Sequence, residues 1–148
     1  MIVYLNAFGH DFVLDDTRII QDNVRIRSLA NIPALFASSY WGQSGTNALY
    51  RPLALATYAL NYAIHGLWTP GYTAVNVALH ASVSLLLFGL VRGLGGSLPA
   101  AGIAGIIYAV HPVHTEAVTG MAGRPELLAA LFFFLAIRFH RLAPAAGR

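Results

Sequence analysis

From residue 52 to residue 91 the chain carries no Asp, Glu, Lys or Arg. Within that interval "YTAVNVALHASVSLLLFGLV", Tyr72 to Val91, is an unbroken mostly apolar run. At the helical rise its 20 residues reach about 30 Å, one hydrocarbon thickness. A segment of that kind has few fates, and the one it fits best is a membrane-spanning helix. Asn76 and His80 sit at i and i+4, so they share one face. Polar groups at that depth face protein or a water-filled cavity. Interhelical hydrogen bonding is the role expected of them.

The rest of the chain agrees with a small all-α, multi-spanning membrane protein. Hydrophobic residues make up 57% and charged residues 10%, where a soluble domain carries about 25% charged residues. The basic residues are all Arg, and the formal net charge of +3 is scattered, which excludes a nucleic-acid face. The absence of Cys excludes disulfides and thiolate metal sites. No phosphate loop, dinucleotide fingerprint, nucleophile elbow or HExxH stands in the sequence, so soluble nucleotide chemistry is not expected.

Two further crossings follow the first. Residues 98–118 are apolar up to Val110 and then run into "HPVHTE", so their last turns belong in a polar, aqueous region. Residues 125–142 open with Pro125 at a helix-entry position and Glu126 in the first turn, where a carboxylate suits the positive helix end. Arg92, Arg138, Arg141 and Arg148 then share one side, which the positive-inside rule makes cytoplasmic. Residues 143–148 are the tail on that side. The polar region 8–71 is expected on the other side, as an external loop with amphipathic and interfacial helices. "SLANIPALFASSYWG" has helical apolar spacing, Pro52 suits a helix start, and residues 51–68 lie at the interface or enter the membrane. Residues 1–7 read as the end of a first spanning helix whose beginning lies upstream, so the chain is expected to be a fragment of a longer protein.

Four of the six acidic residues fall between Phe8 and Asn23. Adjacent Asp15 and Asp16 suit base catalysis, because like charges side by side can raise one pKa. They equally suit an N-cap before "TRIIQ". Asp11 and Asp22 read as solvated loop acids. His111, His114 and Glu116 could bind a divalent metal, although HxxH without a clear third ligand is a weak signal. With Arg124 they could instead hold an anion, or simply form a polar helix end broken at Pro112. Arg51 in "YRPL" fits a lipid phosphate through its planar fork, or snorkels to the interface.

"NAFGHDFVLDDTRIIQDN", "YRPLALATYALNYAIHGL", "GYTAVNVALH" and "HPVHTEAVTGMAGRPELLAALFF" occur in this order. Together they resemble the N-terminal membrane region of the transmembrane and tetratricopeptide-repeat-containing O-mannosyltransferases and their bacterial relatives. That family is similar to the protein O-mannosyltransferases and other C-type glycosyltransferases (GT-C). The resemblance implies a GT-C fold and transfer of a sugar, mannose by default, from a polyprenyl or dolichyl phosphate to a hydroxyl acceptor on a protein. It implies Asp15 as general base on the acceptor hydroxyl, and Asp16 as a residue that orients the acceptor or supports Asp15. Arg51, His111, His114, Glu116 and Arg124 would line the same cavity as substrate and lipid-phosphate ligands. No obligatory cofactor or metal is implied, and no nucleic acid. The partners would be the lipid-linked donor, a protein acceptor and the later spans and repeats of the parent. The compartment would be a bacterial inner membrane, or the endoplasmic reticulum in a eukaryote. Two other readings stay open: a non-catalytic membrane scaffold derived from that family, and a metal-binding transport component built on His111, His114 and Glu116.

Overall fold

The computed structural model describes residues 2–42 and 49–142. The expected tail at 143–148, with Arg148, lies outside them. Every regular element among the described residues is helical.

The first segment is a chain of short turns. A 3-10 stretch, Ile2–Gly9, leads to a single π-helical turn, Thr17–Gln21, and two more 3-10 turns before α1, Ile32–Leu35. Local side chains hold these turns. The Asn23 carboxamide accepts from the Arg25 amide at 3.1 Å, and the Ser28 hydroxyl accepts from the Ala30 amide at 3.3 Å. Arg25 then gathers the following loop, donating to the Ser38 hydroxyl and to the Ser39 and Tyr40 carbonyls at 3.0–3.1 Å.

Prolines open the helices that follow, because a ring lacking N–H is tolerated in a first turn. The helix α2, Pro52–His65, ends at Gly66 with φ +61°, a left-handed conformation that suits glycine. The helix α3 spans Thr69–Gly93, and α4 spans Leu98–Val110 with the Ser97 hydroxyl capping the Ala100 amide at 3.3 Å. A short helix α5, Thr115–Thr119, and the long α6, Arg124–Leu142, meet at a turn through Gly120 and Gly123.

The helix expected over 98–118 stops at Val110. His111 precedes Pro112, and proline disfavours the α conformation in the residue before it; His111 is extended, with ψ 128°. Among the described residues α3 alone is long and apolar enough to cross a membrane. A second candidate exists if residues 112–119 and 121–141, bent by 105° at Gly120, are taken together. At 13 residues, α4 reaches only about 20 Å.

Two apolar clusters form. The larger unites Ile19, Ile20, Ile26, Leu35 and Tyr40 of the first segment with Leu55 and Tyr58 of α2, Tyr72 of α3 and Met121 of the α5–α6 turn. The smaller joins Tyr4, Val118 and Leu127. The helix α3 packs along α4 and α6, with Gly105 of α4 facing the Ser84 carbonyl and Phe88 of α3. His80 bridges the same pair by donating from Nε2 to the Ala109 carbonyl at 3.2 Å. Large apolar side chains point outward from these helices, among them Leu85, Ile103, Ile106, Ile107, Phe132 and Phe133. At the far end Arg141 donates to the Leu90 and Gly93 carbonyls, close to Arg92.

Candidate functional site

The first segment, the start of α2 and the α5–α6 turn enclose a cleft of about 610 Å³. Asp15, Asp16, Arg51 and Glu116 line it, together with Glu126, Tyr40 and Trp41. Four of the seven residues singled out from the sequence therefore share one hollow.

The turn at Gly120–Gly123 is the floor of this site, and separate elements fix it. The Ala122 amide donates to Asp16 Oδ1 at 2.6 Å, across 106 residues of chain. The Tyr58 hydroxyl donates to the Met121 carbonyl at 2.9 Å, and Tyr40 donates to the Ala122 carbonyl at 3.5 Å. Asn76 Nδ2 donates to the Gly120 carbonyl at 3.0 Å.

The two aspartates are placed differently. Asp15 is exposed on the wall of the cleft. Asp16 is 3% exposed, and its second oxygen accepts from the Val13 amide at 3.4 Å. Asp16 stands at the head of the Thr17–Gln21 turn but makes no cap bond to it; its carboxylate is committed to Ala122 instead. Desolvation pushes the Asp16 carboxyl above the usual range, against the backbone donors of Ala122, Val13 and Met121 that favour the charged form, with Asp15 adding a smaller upward push. Leu14, just before the pair, has φ +48° and is 90% exposed. A branched residue rarely adopts that conformation, which holds of the order of 1 kcal/mol of strain or more.

Arg51 lies over the Tyr40 ring, 5.4 Å from its centroid, and one terminal nitrogen is 3.2 Å from Glu126 Oε1. Glu126 was read from the sequence only as a helix-start carboxylate. Its sequence distance from Arg51 left no local signal for the pairing.

Arg124, expected on the cavity wall, does not line it. It is wholly buried behind the turn. Its Nε donates to Asn76 Oδ1 at 2.9 Å, one terminal nitrogen to Asn61 Oδ1 at 2.5 Å and Thr57 Oγ1 at 3.3 Å, and the other to the Tyr72 carbonyl at 3.1 Å. The Tyr58 ring faces it at 4.5 Å. Among the described residues this guanidinium makes no ion pair, so neutral dipoles satisfy the buried charge. His111 and His114 also stand outside the cleft. His111 is exposed, and its Nδ1 accepts from the Val113 amide at 3.2 Å to cap the turn that follows Pro112. The His114 ring lies against Tyr108, tilted by 37° with centroids 4.2 Å apart, and is 5.1 Å from His80. Among the described residues no group of three His, Asp or Glu side chains is arranged to hold a metal ion.

The cleft thus offers a free carboxylate, an arginine on an aromatic face and two glutamates, beside a long apolar helix. The same described residues include one helix, α3, long and apolar enough to cross a membrane. By sequence the chain is a homologue of the N-terminal region of the TMTC protein O-mannosyl-transferases. It is 39% identical to protein O-mannosyl-transferase tmtc2 of Xenopus laevis and 38% to human TMTC2, each over 93% of this chain and 17% of the relative. It is 34% identical to mouse TMTC4, over 91% of this chain and 21% of that protein. The chain therefore spans about a fifth of the length of these relatives. No family model and no solved structure matches it.

Proposed function

We propose that the cleft is the acceptor and donor-phosphate site of a membrane glycosyltransferase of the GT-C type. In this reading a sugar, mannose by analogy with the relatives' names, passes from a polyprenyl or dolichyl phosphate to a hydroxyl of a protein, on the external face of the membrane. The observation that carries the reading is that an exposed Asp15 and a cationic Arg51 line one hollow, whose floor at Gly120 is hydrogen-bonded by Asn76 of α3, the one helix among the described residues long and apolar enough to cross a bilayer.

The chemistry follows from the geometry. Asp15, open to solvent, accepts the proton of the acceptor hydroxyl as its oxygen attacks the sugar carbon. The bond from that carbon to the phosphate oxygen breaks, and the lipid phosphate leaves with the electron pair. Arg51 stabilises the charge growing on the phosphate. Asp16 holds the turn beneath them rather than touching substrate. Glu116 is available to orient the acceptor, while His111, His114 and Arg124 support the fold around the site. Further helices of a longer parent would cover the open side.

The test is sugar transfer by the full-length parent in membranes, with polyprenyl-phosphate mannose as donor. Asp15→Asn is expected to lower turnover at least 100-fold, the usual contribution of a general base, while leaving the melting temperature unchanged because the side chain is exposed. Turnover within a few-fold of wild type would remove Asp15 from the reaction.

A further inference from the structure

Among the described residues Arg51 is the one cation on the cleft wall, and it is already engaged: Glu126 Oε1 sits 3.2 Å from its terminal nitrogen. Both side chains remain partly open, at 35% and 50% exposure. Arg51 is therefore held on two sides. The Tyr40 ring, itself buried, supports its face, and Glu126 occupies its donor edge. An anion entering the cleft meets a guanidinium whose nearest charge is a carboxylate, with Asp15 and Glu116 also on the walls.

We propose that Glu126 is an internal stand-in for the anionic ligand: it parks Arg51 against Tyr40 while the cleft is empty, and a lipid phosphate displaces it. This rests on the donor-site reading above and adds the residue that sets donor affinity. Tyr40 is fixed through its hydroxyl on Ala122 and its amide on the Leu49 carbonyl, at 2.7 Å. The ring therefore stays in place when the partner changes. Glu126 stands in the first turn of α6, where the helix end favours its negative charge, so it can swing to solvent without loss of the fold. Arg124, two residues earlier, keeps the base of α6 anchored. The exchange is then one of side chains alone.

A partly exposed ion pair is worth roughly 0.2–1 kcal/mol. Competition by such a pair lowers the fraction of Arg51 free for a ligand, so its removal tightens ligand binding by about two- to six-fold. The experiment is a double-mutant cycle on the chain in lipid nanodiscs, reading the binding of geranylgeranyl monophosphate. Geranylgeraniol reports the apolar part alone, and inorganic phosphate the head group alone. Glu126→Gln is expected to tighten binding of the lipid phosphate within that range. Arg51→Gln is expected to weaken it, and Glu126→Gln in the Arg51→Gln background to change nothing. Unchanged or weaker binding in Glu126→Gln with Arg51 present would overturn the stand-in role, as would equal tightening in both backgrounds. If Arg51→Gln binds the lipid phosphate as wild type does, the donor-site reading fails and the stand-in role with it. If inorganic phosphate gives the same cycle as the lipid phosphate, the head group alone is what Glu126 replaces, which supports the proposal. A melting measurement on each variant verifies that the fold is retained.

Discussion

Neighbouring aspartates are chemically identical as residues, and their surroundings separate them. Asp15 is open to the cleft, whereas Asp16 is buried with both oxygens on backbone amides. Replacing Asp16 with Ala leaves the Ala122 amide without a partner, and an orphaned buried donor costs about 1–3 kcal/mol. Asp16→Asn keeps an oxygen in the same place and should cost less. The two also differ in pH response. Asp16 titrates above its ordinary value when folded, so the folded state holds this proton more tightly than the unfolded state does. Its contribution to stability is fully present below the ordinary carboxylate range and is lost as pH rises through the raised folded value. Unfolding free energy measured across the acid range should carry this decline in the wild type, and Asp16→Asn should remove it. From sequence the doublet could be noticed but not divided, because the division depends on an amide 106 residues away.

At the scale of elements, the proline punctuation was readable in part. Pro52 and Pro125 stand at helix starts as expected, whereas the helix expected over 98–118 runs past Pro112 and the structure ends it before that proline. The long α3 was readable too, since a mostly apolar run of twenty residues with no charge admits few alternatives. The break between α4 and α5 was harder to place, because the apolar run continues up to the residue that breaks it. The α5–α6 turn depends on close backbone approach. A Cβ on Gly123 would lie 2.6 Å from the Ala117 backbone. Gly123→Ala is therefore expected to destabilise the chain by at least about 1–3 kcal/mol, the cost of overpacking, and to open the cleft floor. In contrast, a Cβ on Gly102 within α4 meets nothing within 4 Å. Gly102→Ala should stabilise by about 0.5–1 kcal/mol. Denaturant titration in mild detergent compares the two, and equal effects would contradict this account of the turn.

On the scale of the whole molecule, Arg124 ties α2, α3 and α6 together through Asn61, Asn76 and the Tyr72 carbonyl. A buried arginine suggests a buried carboxylate partner, and the sequence has acids to spare for one. The structure uses neutral dipoles instead, which no spacing rule reveals. Arg124→Lys retains the charge but lacks the planar fork that reaches four separate acceptors. Each acceptor left unpaired costs about 1–3 kcal/mol, so both Arg124→Lys and Arg124→Ala should unfold at markedly lower denaturant concentration. Loss of the cleft in either variant is expected to follow from loosening of α6, which hydrogen exchange at the Ala122 amide would report.

The bond from Asp16 to Ala122 also has a consequence for biosynthesis. Ribosomes add about 5–20 residues per second, so the early carboxylate waits roughly 5–20 seconds before its partner is made. During that interval Ile19 and Ile20, which end up buried, have no floor to cover them. The nascent segment is then exposed until that turn is made. Stalling translation before residue 122 should leave it open to an added protease, and release of the stall should close that window.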